Sequence, residues 1–85
     1  MYQFKVGDKI LVKKSIEGNP STLGLEGVII YMDDMVGIEF FEKISGGHDC
    51  RKKGKFGYCF NLWENNLSII HQYIELVGSN NYEIY

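Results

Sequence analysis

Apolar and polar residues alternate in short runs along most of the 85-residue chain, and glycine or turn residues separate the runs. In FKVGDKILVKK, Val6-Gly7-Asp8 reads as a turn leading into a strand over about 9–14. Ile10 and Val12 fall on its core side, and Lys9, Leu11 and Lys13 on the other. Residues 15–24, SIEGNPSTLG, have loop composition. LEGVIIYM (25–32) is a β-branched strand, and Asp33-Asp34 is turn chemistry. VGIEFFE (36–42) alternates with Val36, Ile38 and Phe40 on one face, so the two segments read as a hairpin. After a long loop, YCFNLW (58–63) is the next strand. ENN (64–66) suits one tight helical turn, and LSII (67–70) a short closing strand. HQYIELV (71–77) and YEIY (82–85) flank the turn-rich GSNN, which predicts a second hairpin, with a short helix over 71–77 as the alternative.

This pattern predicts a mainly β protein: a small five-stranded antiparallel barrel over 1–70, with a C-terminal extension, 71–85, packed on it as a β-hairpin or short helix. Composition agrees. Six Tyr, five Phe, one Trp and ten Gly, with Pro20 as the only proline, are what a small β domain uses. A chain of this length buries only about 60–65% of its unfolded surface, so a metal or cross-link would add to a modest core. Phe40, Phe60 and Trp63 read as core. Tyr2, Tyr31, Tyr73, Tyr82 and Tyr85 are too many for so small an interior, so several are expected at the surface, where tyrosine favours protein contacts.

Charge changes the picture more than composition does. The net charge is −2, which gives no overall pull towards nucleic acid. All nine Lys and Arg nevertheless precede Phe56, and only Glu64, Glu75 and Glu83 carry charge after it. Arg51, Lys52, Lys53 and Lys55 crowd into GGHDCRKKGKFGYCF, residues 46–60. The same stretch holds His48 and both cysteines, Cys50 and Cys59.

Three readings of that stretch follow: a metal site, a disulfide, and a solvated basic loop. Zinc takes four ligands from thiolates and imidazoles. His48 and Cys50 alternate on an extended loop, and Cys59 lies where the loop returns. His71 is the fourth ligand by residue type, with Asp49 or water as the other options. The N-terminus has no apolar run of signal or membrane-span length, which points to the cytoplasm and disfavours a Cys50–Cys59 disulfide. Beside the cations, Phe56 and Tyr58 offer stacking surface, so the loop suits either a phosphate backbone or an acidic protein patch. Nucleophile elbows, phosphate-binding glycine loops and paired carboxylates are not apparent, so binding is expected in place of catalysis.

VGDKILV, LEGVIIY, VGIEF and GGHD, in this order, resemble the CAP-Gly domains, which are small barrels of the Src-homology-3 type. Their G-K-N-D-G loop is replaced here by Gly46-Gly47-His48-Asp49-Cys50, without the Lys and Asn that grip acidic peptide tails. FKVGDK, the central VGIEF and the GGHDC stretch are also similar to small phage and bacterial proteins, over about residues 4–70. In these the His and Cys spacing looks like a zinc site. His48 and Cys50 match it, Gly54 and Tyr58 stand where other members have Cys and His, and Cys59 lies one position on. Small phage proteins of this size include anti-CRISPR proteins. The resemblance implies a phage-derived inhibitor that binds a host defence nuclease, a type II CRISPR effector, through Arg51, Lys52, Lys53, Lys55, Phe56 and Tyr58. It also implies a structural zinc at His48 and Cys50, with Cys59 standing in for a further ligand; His71, chosen by residue type, completes the expected set, with Asp49 or water as the other options. A nucleic-acid-binding module and a binder of acidic peptide tails are the alternatives. Edge strands in the tail would allow a homodimer.

Overall fold

The computed structural model describes residues 1–78. Its elements are β1 (Lys9–Val12), a 3-10 turn (Pro20–Thr22), β2 (Glu26–Met32), β3 (Val36–Phe40), β4 (Cys59–Leu62), α1 (Leu67–Tyr73) and β5 (Ile74–Gly78). The five strands form one antiparallel sheet in the order β4-β3-β2-β1-β5. The described residues are therefore mainly β with one short α-helix.

The sheet curls around one apolar core. Ile10 and Val12 from β1, Ile29 from β2, Val36, Ile38 and Phe40 from β3, Leu62 from β4 and Ile74 from β5 are all buried in a single cluster with Phe4, Ile16, Ile44 and Ile70. The alternations expected in β1 and β3 are thus present. Each fully buried side chain of this size contributes about 1.5–3 kcal/mol. The N-terminal segment closes one side of the core through the Asp8 carboxylate. Its Oδ2 accepts from the Tyr2 hydroxyl at 2.8 Å and from the Lys5 N–H at 2.9 Å, which folds Phe4 inward.

The C-terminal third departs from expectation. Residues 67–70 are helical and not a closing strand, because Asn66 caps them: its Oδ1 accepts from the N–H of Ser68 at 3.0 Å and of Ile69 at 3.3 Å. The helix presents Ile70 to the core and ends at Tyr73. Residues 71–77 therefore divide between helix and strand. Ile74–Gly78 is the strand that pairs with the otherwise free edge of β1. The second arm of the expected hairpin, 82–85, lies outside the described residues, as do Tyr82 and Tyr85.

Trp63 also departs from expectation. It is 57% exposed. In β4 the core takes Phe60 and Leu62, so Cys59 and Asn61 face away, and Trp63 continues that outward register. Its N–H donates to Glu17 Oε2 at 3.1 Å.

One irregularity sets up the rest of the molecule. Ile29 pairs with Ile38, but Tyr31 pairs with Gly37, so Ile30 is an extra residue in β2. Tyr31 would otherwise share the core face with Ile29. The bulge turns it to the opposite face and returns Met32, paired with Val36, to the core.

Candidate functional site

The outer face of β2, β3 and β4 carries Tyr31, Gly37, Glu39, Cys59 and Asn61. Residues 48–58 fold back over it. Tyr31, Met35, Cys50 and Cys59 form a second buried cluster there, with Ile30 packed against it. The Tyr31 ring lies directly on Gly37, where a Cβ would overlap it. Its hydroxyl donates to Asn61 Oδ1 at 2.8 Å, and the Cys50 thiol reaches the same oxygen at 3.3 Å. The loop thus has a floor of its own, separate from the main core.

Backbone bonds fasten the base of the loop. The His48 N–H donates to the Cys59 carbonyl at 2.9 Å, and the Cys59 N–H returns to the His48 carbonyl at 3.2 Å. Glu39 fastens its far side: Oε1 accepts from the Lys55 N–H at 2.8 Å, with the Cys59 thiol at 3.8 Å. Gly54 lies against Cys59 so closely that a Cβ would overlap its sulfur. Between these anchors, Cys50, Arg51 and Lys52 have φ values of +50°, +59° and +66°. Left-handed backbone costs a non-glycine residue about 1–2 kcal/mol. Here it is held by the Lys53 N–H donating to the Cys50 carbonyl at 3.1 Å and by the Gly54 N–H donating to the Asp49 carbonyl at 2.9 Å.

This turn displays the basic residues. Arg51, Lys52, Lys53, Lys55 and Phe56 are all exposed, Phe56 at 74%. The Arg51 guanidinium and the Lys53 ammonium stand 6.0 and 5.8 Å from the Tyr31 ring centroid, and Lys55 stands 4.3 Å from that of Tyr58. Arg51 also approaches Asp33 at 3.9 Å. Among the described residues Lys52, Lys53 and Lys55 form no ion pair. Tyr58 is half-buried.

The four expected zinc ligands do not fit a zinc ion as they are placed. Cys50 and Cys59 share one cluster, but His48 Nδ1 is taken by the Cys50 N–H at 2.9 Å, and its ring lies near Phe60. His71 is on α1, where Nε2 meets the Tyr2 carbonyl at 2.7 Å and the ring packs on Phe4 at 4.6 Å. His71 thus holds the N-terminal segment and not the loop. Among the described residues no group of three or more His, Cys, Asp or Glu is gathered in a metal-holding arrangement.

Burial governs the thiols. It pushes Cys50 up to about 12, reinforced by the neighbouring Cys59. It also pushes Cys59 up, with the neighbouring Cys50 thiol opposing the rise and the Glu39 carboxylate adding to it. Both thiols are free, and both are protonated at neutral pH.

Glu39 and Asn61 are the site residues that sequence reading missed. Glu39 reads as an ordinary surface residue, and its role depends on β3 pairing it with Cys59. The alternation of Val36, Ile38 and Phe40 carried the only available signal, since it places Glu39 on the outer face. Among the described residues no helix is long and apolar enough to cross a membrane. Comparison of the chain with protein-family models, with curated proteins and with solved structures finds no match.

Proposed function

We propose that this protein is a binding module that contacts an acidic protein surface through the loop 51–58. One observation carries the reading: a cationic and aromatic turn, with three lysines free of ion pairs among the described residues, is seated on its own buried floor. A pre-formed loop loses less conformational entropy on binding than a free one. Charge on the rim of such a contact sets encounter rate and partner choice. The specific form of the reading is a phage-derived inhibitor that occupies a host defence nuclease, of the type II CRISPR effector class. This rests on the resemblance of the GGHDC-containing chain to small phage proteins, and the exposed Phe56 supplies an apolar anchor.

The test is capture of a purified type II effector by the chain, compared with Lys52→Glu/Lys53→Glu. Binding by the parent chain and a loss of at least about tenfold in the double variant, with an unchanged melting curve, is the expected result. Unchanged binding by the variant would remove the loop from the contact. A second reading, single-stranded nucleic acid, draws on the same pairing of cations with Tyr31, Tyr58 and Phe56. It would show as a gel shift whose affinity falls steeply with salt.

A further inference from the structure

The two thiols have no part in partner contact, yet they are the centre of the floor. Cys50 lies on the left-handed turn and Cys59 opens β4. The reciprocal backbone bonds between His48 and Cys59 hold these segments side by side. The two thiols lie in one buried cluster with Tyr31 and Met35, and both residues are fully buried. We propose that Cys50 and Cys59 form a dithiol that converts reversibly into an intramolecular disulfide, a modification site that staples the basic loop to β4.

Burial decides how the site is reached. Neither sulfur is exposed in the closed loop, and burial keeps both protonated, so direct attack on an oxidant is slow. The route in is the turn itself. Three successive non-glycine residues in left-handed conformation store strain. The turn is held down by single contacts: the bonds to the Cys50 and Asp49 carbonyls, the Cys50 N–H on His48 Nδ1, the Cys50 thiol on Asn61, and the contacts of Arg51 with Asp33 and of Arg51 and Lys53 with Tyr31. Opening it lifts Cys50 out of the cluster while Cys59 stays on its strand.

The oxidant class is a low-molecular-weight disulfide such as glutathione disulfide. The Cys50 thiolate, its proton lost to water, attacks one sulfur. The S–S bond breaks, and one glutathione leaves as thiolate. Cys59, uncovered by the same opening, loses its proton to water; its thiolate attacks the Cys50 sulfur of the mixed disulfide, that S–S bond breaks, and the second glutathione leaves as thiolate before the turn recloses. Two protein thiols lose two electrons and two protons, and one glutathione disulfide becomes two glutathione thiols. Glutathione in excess reverses both steps.

The experiment treats the native chain with glutathione disulfide and follows its intact mass, with peptide mapping. The expected product has lost two hydrogen atoms and links Cys50 to Cys59. Sub-denaturing urea accelerates its formation, because opening of the turn limits the rate. Cys59→Ser instead accumulates a single glutathione on Cys50. In the oxidised chain, amide exchange at Lys53 and Gly54 slows. The proposal is overturned if the native chain carries glutathione adducts without the internal link. A native chain that stays reduced while the urea-unfolded chain cross-links overturns it equally, as does unchanged exchange at Lys53 and Gly54. None of these readouts depends on a partner, so they stand or fall apart from the proposed function.

Discussion

Gly54 shows how little room the loop floor leaves. Its neighbours are Cys59, Ile30 and the Glu39 carboxylate, and an added methyl group has to displace one of them. Gly54→Ala is expected to cost about 1–3 kcal/mol, as overpacked sites do, and to lower the midpoint of a urea titration. Cys50 makes a second point at this scale. Its thiol holds its proton up to about 12 in the folded state, against an ordinary value of 9.0. The folded chain therefore binds more protons than the unfolded chain between those limits, and stability falls as pH rises through that window. Below the ordinary thiol value this contribution is fully present. Tyrosines and lysines titrate in the same range, so the measurement is a comparison with Cys50→Ser, which should show a shallower decline in unfolding free energy above pH 9. Individual residues were unequally legible in the sequence. Ile10, Val12, Val36, Ile38 and Phe40 announced themselves by alternation. Trp63 did not, because large aromatic character outweighed the register that points it outward. His71 looked like a ligand because it is the only histidine besides His48, and residue type carries no information about the Tyr2 carbonyl that it meets.

At the scale of elements, α1 is the segment whose existence depends most on one side chain. Seven residues are too few for an independent helix in water, and Asn66 supplies two of the bonds that its first turn lacks. Asn66→Ala is expected to cost about 1 kcal/mol and Asn66→Asp much less, as read from thermal melts of the two variants. The cap also explains why 67–73 was hard to read. LSIIHQY contains isoleucines that suit a strand, and its few apolar positions satisfy neither period for long enough to decide. What decides is position: the helix spans the gap between β4 and β5 and feeds the latter onto β1. β1, β2 and β3 needed no such arbitration. Each is bounded by turn residues, and the alternation of β1 and β3 matches the buried face observed.

For the molecule as a whole, buried apolar contact is divided between two clusters, while the His48 and His71 imidazoles are engaged with the Cys50 N–H and the Tyr2 carbonyl. The main core holds the sheet, and a smaller core of Tyr31, Met35, Cys50 and Cys59 holds the loop. Extended dialysis against a chelator is accordingly expected to leave the melting temperature unchanged, and elemental analysis of the dialysed protein checks that no zinc is retained. The general form of the candidate site was legible: a basic loop anchored near its two cysteines. The nature of the anchor was not, because it is built from register. Strand pairing is what brings Glu39 and Asn61 to the loop and sets Gly37 beneath Tyr31, and a linear sequence does not display which residues stand opposite one another.

The single extra residue at Ile30 acts on the sheet as a frameshift acts on a coding message. Upstream of it, one parity of position answers to the main core; downstream, the other parity does. Tyr31 and Met32 have exchanged constituencies, so a change at Tyr31 is felt in the seating of the loop and a change at Met32 in the main core. Loss of one residue here would not merely shorten a strand. It would reassign Tyr31 to a space already filled and leave the loop without its platform, so the seating of the loop depends on the length of β2 as much as on its composition.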